Sequence, residues 1–152
     1  MENESAIKLW SSFRMQNSQA PETCEAWAFG DSKEMADELS GLVLEGLKTA
    51  TSSAFEVYQV ENEPIPTEGS YSIILDGNQE AVGIIQIQKV TTCAFNQVTE
   101  ELAIAEGEGD RTLEYWRRVH EEFFRRHLAT YGLSFNEEML IVCEQFELVY
   151  AA

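Results

Sequence analysis

Apolar positions in ESAIKLWSSFRM recur at helical intervals as Ile7, Trp10 and Phe13, which predicts an amphipathic helix over residues 4–15. After the loop NSQAPET, aromatic residues alternate in EAWAF and predict a short strand at 25–29. GDSKE then opens a second helix. Asp31 is expected to cap it, with Glu34 three residues later in a capping-box pattern. Met35, Leu39, Leu42 and Val43 form its apolar stripe, and Gly46 is a suitable stop. The period then changes, and AFEVYQV (54–60) reads as a strand. NEPIPTEG is a loop. YSIIL and AVGIIQIQKV flank an Asp-Gly turn and predict a hairpin, with Ile85 and Ile87 on one face and Gln86 and Gln88 on the other. VTEELAIAEGEGD reads as a short helix or turn running into an acidic, glycine-rich loop. RTLEYWRRVHEEFFRRHLATYG is the longest helix, with Leu113, Trp116, Val119, Phe123 and Leu128 inward, and MLIVCEQFELVY is a closing strand.

Three helices and five or six strands in this order lack the strict alternation of a doubly wound sheet. They predict an α+β domain whose strands curl into a small, mostly antiparallel barrel with helices outside. Composition agrees with one globular unit of 152 residues that is 44% apolar. No apolar run reaches the roughly 20 residues that span a bilayer, so no membrane partner is expected. MENESAIKLW is acidic where a secretory leader would be basic, and Cys24, Cys93 and Cys143 are odd in number and lack CxxC spacing. Reduced thiols and a cytoplasmic location are expected.

Charge narrows the partners. Twenty-seven acidic and ten basic residues give −17, a repulsive field for duplex DNA. Half of the basic residues, Arg111, Arg117, Arg118, Arg125 and Arg126, fall within 16 positions. They form either a stripe for a short single strand or, as the simpler account has it, partners for Glu114, Glu121 and Glu122 on a solvated helix face.

Candidate chemistry begins with GLKTATSS (46–53). A lysine just past a helix end is favoured by the helix dipole alone. In an extended chain Thr49, Thr51 and Ser53 share one face; in a turning chain Lys48 meets Thr51. Lysine beside a hydroxyl is a base–nucleophile pair if burial lowers the amine pKa. The second feature is EGEGD, where Glu106, Glu108 and Asp110 alternate with glycines and, if extended, point one way. Such acids are solvated, share a proton, bind a cation or receive a lysine. An EF-hand register fails, because positions six and twelve are Arg111 and Arg117. Magnesium or manganese on one or two carboxylates stays open, and Asp110 is expected to cap the following helix. Trp116 and His120 share a helix face, where a core role is the simpler account. Trp27 and Phe29 are core or a platform for a planar base.

WAFGD (27–31), GLKTATSS, GIIQIQKV, EGEGD and WRRVHEEFF together resemble the ASCH domain family, of PUA-like fold, and look most like its bacterial subgroup of about 150 residues described as predicted RNA-binding proteins. The resemblance implies a single ASCH domain over 1–152, with the N-terminal helix an addition, and a β-barrel cleft lined by G-x-K-x-x-T. Family members have RNA-related roles. Some are amidohydrolases acting on acetylated cytidine through a lysine, a threonine and a glutamate, which match Lys48, Thr51 and Glu108 here. Others cleave single-stranded RNA. Two functions follow as expectations. One is a hydrolase of a modified nucleoside amide, which requires no cofactor and in which Lys48 takes the proton of Thr51 and Glu108 serves the leaving amine. The other is a binder of short single-stranded RNA or a metal-assisted (Mn or Mg) ribonuclease, with Trp27, Phe29 and Trp116 stacking bases and Lys48 with Arg117 or Arg118 on phosphate. A non-catalytic ligand sensor would use the same cleft. Asp31, Ser53, Glu106, Asp110 and His120 complete the expected ligand-binding set.

Overall fold

The computed structural model describes residues 3–152. In chain order the elements are α1 (Glu4–Gln16), β1 (Glu25–Ala28), α2 (Lys33–Leu44), β2 (Ala50–Ala54), α3 (Phe55–Val60), β3 (Tyr71–Leu75), β4 (Ala81–Ala94), α4 (Glu100–Glu106), α5 (Leu113–Ala129) and β5 (Leu140–Ala151). One mixed five-stranded sheet, in the order β1-β3-β4-β5-β2, forms a half-barrel flanked by five α-helices. Among the described residues only the β1–β3 pairing is parallel; the other three are antiparallel. The α+β, mostly antiparallel architecture is therefore that expected from the sequence. No helix among the described residues is long and apolar enough to cross a membrane.

The spine of the sheet is β4 against β5, two long strands whose register slips at Ile84/Ile85 and Ile87/Lys89. Such irregularities increase local twist and let a sheet curl. Ile85 and Ile87 face a core with Phe29, Leu39, Val43 and Phe146. Ile84 turns instead to a second core under α1, built on Trp10 and Phe13. A third core packs Trp116, Phe124 and Leu128 of α5 on Ala50, Ala54 and Ile141.

Several elements differ from the sequence expectation. The strand expected at 54–60 is helix α3, and the strand lies earlier, at 50–54. Aromatic and β-branched residues lean to strand by propensity, but packing overrides it. Ala50 and Ala54 are fully covered because their small side chains let the outer layer approach β5, whereas one helical turn carries Val57 into that layer. Asp31 does not cap α2; Ser32 does, accepting from Met35 N. Asp31 instead receives Arg126 of α5 at 3.0 Å. Asp110 likewise is not the cap of α5; Thr112 is, accepting from Tyr115 N, while Asp110 accepts from the Thr112 hydroxyl. On α5 the fully buried stripe is Trp116, His120, Phe124 and Leu128, every fourth residue, while Leu113 and Phe123 are half-buried against the same core. Of the arginine pairs expected on α5, the structure has Arg125–Glu121 at 2.9 Å. Arg117 donates to the Asn96 carbonyl, and Arg118 lies over the Tyr115 ring.

Candidate functional site

Two chain crossings build the site. Past α2, Gly46 takes a left-handed conformation and Thr49 N donates to the Ala105 carbonyl at 2.6 Å, which fastens the GLKTAT segment along α4. At the end of α4, Gly107 also turns left-handed (φ 70°). A Cβ there would run into the Leu47 carbonyl and come within 3.0 Å of Lys48 N. Only glycine lets the acidic loop close onto the lysine segment, which accounts for the first glycine of EGEGD.

The Lys48 side chain runs inward and is 1% exposed. Its ammonium donates to Glu106 Oε1 at 3.0 Å, Glu108 Oε2 at 2.9 Å and the Glu106 carbonyl at 3.4 Å, and lies 5.4 Å from the centre of the Phe29 ring. The last carbonyl of α4 adds the negative end of a helix to the two carboxylates. Burial pulls the amine pKa down, but Glu106 and then Glu108 outweigh it, and the net displacement is upward. Lys48 rests as an ammonium. The base role expected from desolvation does not fit this arrangement, because the acids that receive the lysine hold its proton.

Glu106 is held from every side. Its Oε2 accepts from Ser52 Oγ and from Trp116 Nε1, each at 2.6 Å, and its Oε1 faces Lys48 and His120 Nε2, the latter at 3.4 Å. Burial would raise its pKa, yet Lys48 and His120 drive it well below the usual carboxylate range. His120 stacks on Trp116 with centroids 4.3 Å apart, and its Nδ1 is 2.9 Å from the Trp116 carbonyl. Burial opposes the imidazolium, but Glu106 favours it and the pKa moves up. With an acceptor at each ring nitrogen, the doubly protonated form fits best. The cluster then pairs two carboxylates with two cations inside the protein. Replacing Trp116 by Phe keeps the stack but removes the indole donor. The expected loss is about 1.5–3 kcal/mol, the range for a hydrogen bond to a charged group, read as a lower urea midpoint at unchanged slope.

The other expected residues divide. Thr51 and Lys48 line one small cavity of about 60 Å³ with Phe29, Gly30, Glu108 and His120. Thr51 and Ser53 share a face of β2, opposite Ser52, and line an adjoining cavity of about 260 Å³ with Trp27 and Tyr58. The same face continues into a cleft of about 690 Å³. Trp27 is half-buried at this opening, whereas Phe29 is buried beneath it, edge-on to Trp27 at 4.7 Å. Three residues fall outside the cleft. Asp31 is on the surface with Arg126. Asp110 is exposed at the head of α5, so the three acids do not point one way; the left-handed turn at Gly107 sends only Glu106 and Glu108 to Lys48. Trp116 lies between His120 and Phe95, with no free face for a base.

Glu106, Glu108 and His120 bring ligand atoms within 4.8 Å of one another, a spacing compatible with a metal. Lys48 contacts both of those acids, however, and a divalent ion would face an ammonium a few ångströms away. The donor set fits the lysine and does not fit a metal while the lysine is in place. One residue was missed from sequence. Glu144, on β5 directly across from Thr51, lies at the floor of the 690 Å³ cleft. Burial, with the nearby Glu25 charge, pushes its pKa up to about 7. A separate depression of about 730 Å³ beside β1 is lined by Asn3, Thr23, Cys24, Glu25 and Gln79.

A half-barrel whose open mouth lies between β1 and β2, with a lysine from one crossing seated in an acidic loop from another, defines a class of small cleft-bearing domains. The family model of the ASCH domain matches residues 25–150, and the chain belongs to the ASCH domain family. It is similar to a crystal structure of a protein from Enterococcus faecalis, at 40% identity and TM-score 0.92 over 97% of this chain and 90% of that one. It is also similar to the crystal structure of an ASCH domain from Lactobacillus crispatus, at 30% identity and TM-score 0.90 over 97% and 95%. No protein in the comparison with curated sequences matches. Helix α1 lies outside the residues matched by the family model.

Proposed function

We propose that this ASCH domain protein, of RNA-related type, takes a nucleoside-like small molecule into the cleft and hydrolyses an amide on it. The observation that carries the reading is the buried Lys48 ammonium, which borders the cavity that Thr51 and Glu108 also line. An ammonium fixed in a dry site stabilises the oxyanion that forms when an acyl carbon is attacked. Thr51 supplies the attacking hydroxyl. Glu108, less buried than Glu106, takes its proton and passes it to the departing amine. The acyl group is left on Thr51 Oγ1, and water releases it as a carboxylic acid. Glu106, with four partners, is a positioning residue.

This reading differs from the expected mechanism in one respect: Lys48 stabilises charge and Glu108 carries the proton. Polyanion tracking finds less support. Lys48 is sealed from solvent, Arg117 and Arg118 lie outside the cleft, and no lysine or arginine lines the 690 Å³ cleft. The test is release of acetate from N4-acetylcytidine by purified protein. Turnover is expected, with little dependence on salt, and Glu108→Gln lowers kcat by about 10²–10⁴. Folded protein that releases no acetate, or that instead cleaves single-stranded RNA in a steeply salt-dependent way, overturns the reading.

A further inference from the structure

The chain treats its two most buried acids in opposite ways. Glu106 receives an ammonium, an imidazole, a hydroxyl and an indole N–H. Glu144 is 6% exposed and makes no side-chain hydrogen bond or ion pair among the described residues; its carboxyl oxygens are not sealed but open onto the cleft. Its strand position fixes its direction. Cross-strand partners project to the same face, Glu144 pairs with Thr51, and Thr51 lines the cleft, as does Glu144 itself.

The surroundings of Glu144 share one character. Glu25 stands across the cleft on the edge strand β1, and Glu63 adds a third acid. Trp27 and Tyr58 supply aromatic surface, with Ser53, Ser72 and Thr51 between them, and none of the chain's ten basic residues lines the cleft. A carboxyl left without a partner in a cleft of like charge lacks a cation. Aromatic faces beside it favour an organic cation over a bare ion, through the ring quadrupole. Phosphate would meet only repulsion there.

We infer that the cleft between β1 and β2 is a subsite for a cationic nitrogen group of a small organic ligand, an ammonium, amidinium or guanidinium held between Glu144 and Glu25 against Trp27. The inference rests on the reading of the cleft as a small-molecule site, and it refines the substrate class to an amide carrying a basic nitrogen away from the scissile bond. Thr51 links the two ends, lining both the Lys48 cavity and the cation subsite.

The experiment titrates the protein with methylguanidinium and, separately, with its neutral isostere methylurea, following the Trp27 indole N–H by NMR. Methylguanidinium alone is expected to bind. Since the Glu144 carboxyl must ionise to hold it, affinity should rise about thirtyfold from pH 5.5 to 8, following a group that titrates near 7. Glu144→Gln should abolish both the binding and its pH dependence. Equal binding of the two probes, a flat pH profile in the unaltered protein, or unchanged binding by Glu144→Gln overturns the inference. Acetate release is scored separately, so methylguanidinium binding without turnover refutes the hydrolase reading and leaves the subsite standing.

Discussion

Replacing Lys48 by Met should cost the fold about 3–5 kcal/mol, the usual result of removing one partner of a buried ion pair. For a chain of this size that lowers Tm by roughly 6–20 °C. The methionine fills the same channel beside Phe29, so the loss is one of charge more than of packing. Glu106 keeps Ser52, Trp116 and His120, but Glu108 loses its ammonium partner and the buried cluster becomes net negative. The pH dependence separates this cause from a cavity. In the unaltered protein the Glu106 pKa lies below its unfolded value near 4.5, so its contribution is present above that pH and is lost as pH falls through the folded value. Without Lys48 that depression weakens and Glu106 is more easily protonated, so the deficit of Lys48→Met should be largest near neutrality and shrink in acid. A second change, Glu106→Gln, should restore much of the stability, because removing both charges is far less costly than removing one. Urea denaturation of the two single variants and the double variant measures the coupling. A loss below about 1 kcal/mol in Lys48→Met, or a double variant no more stable than the single, would refute the buried-cation account.

The elements read correctly from sequence were those whose pattern repeats. Helix α1 and the β3–β4 hairpin carry clean periods of 3.6 and 2, and they stand where those periods put them. The joining of Lys48 to the acidic loop was legible in kind, as an expectation that close carboxylates receive a lysine. It was not legible in geometry. The left-handed turn at Gly107 selects Glu106 and Glu108 and leaves Asp110 outside, and what forces a glycine there is the Leu47 carbonyl, some sixty residues earlier in the chain. The two misplaced caps are off by one and by two residues for the same reason: a hydroxyl just past the acid, Ser32 or Thr112, reaches the N3 amide, at Met35 and at Tyr115. The β2–α3 reversal had no local signal: AFEVYQV has strand propensity, and only the covered faces of Ala50 and Ala54 explain the outcome. Glu144 did leave a trace. In VCEQF, Val142, Glu144 and Phe146 share a parity, so an acid occupies a position that its strand reserves for apolar residues.

That placement sets up a trade between stability and binding. The Glu144 carboxyl titrates near 7 when folded and near 4.5 when unfolded. Between those values the folded state holds one more proton than the unfolded, so stability falls as pH rises, and above about 7 the full cost remains. A displacement of this size corresponds to about 3 kcal/mol. Glutamine has the same shape and no charge to bury. Glu144→Gln should therefore equal the unaltered protein near pH 4.5, gain on it as pH rises, and exceed it by about 2–3 kcal/mol at pH 8, read as a higher urea midpoint. Few single changes stabilise a protein by that much, and those that do are commonly found at positions kept for function. A variant that gains stability while losing methylguanidinium marks the strain as functional, because the free energy stored in the unpaired acid is what a cationic ligand would recover. Equal stability of the two proteins at pH 5 and pH 8 would mean that Glu144 is solvated through the open cleft, and the argument from its isolation would fail.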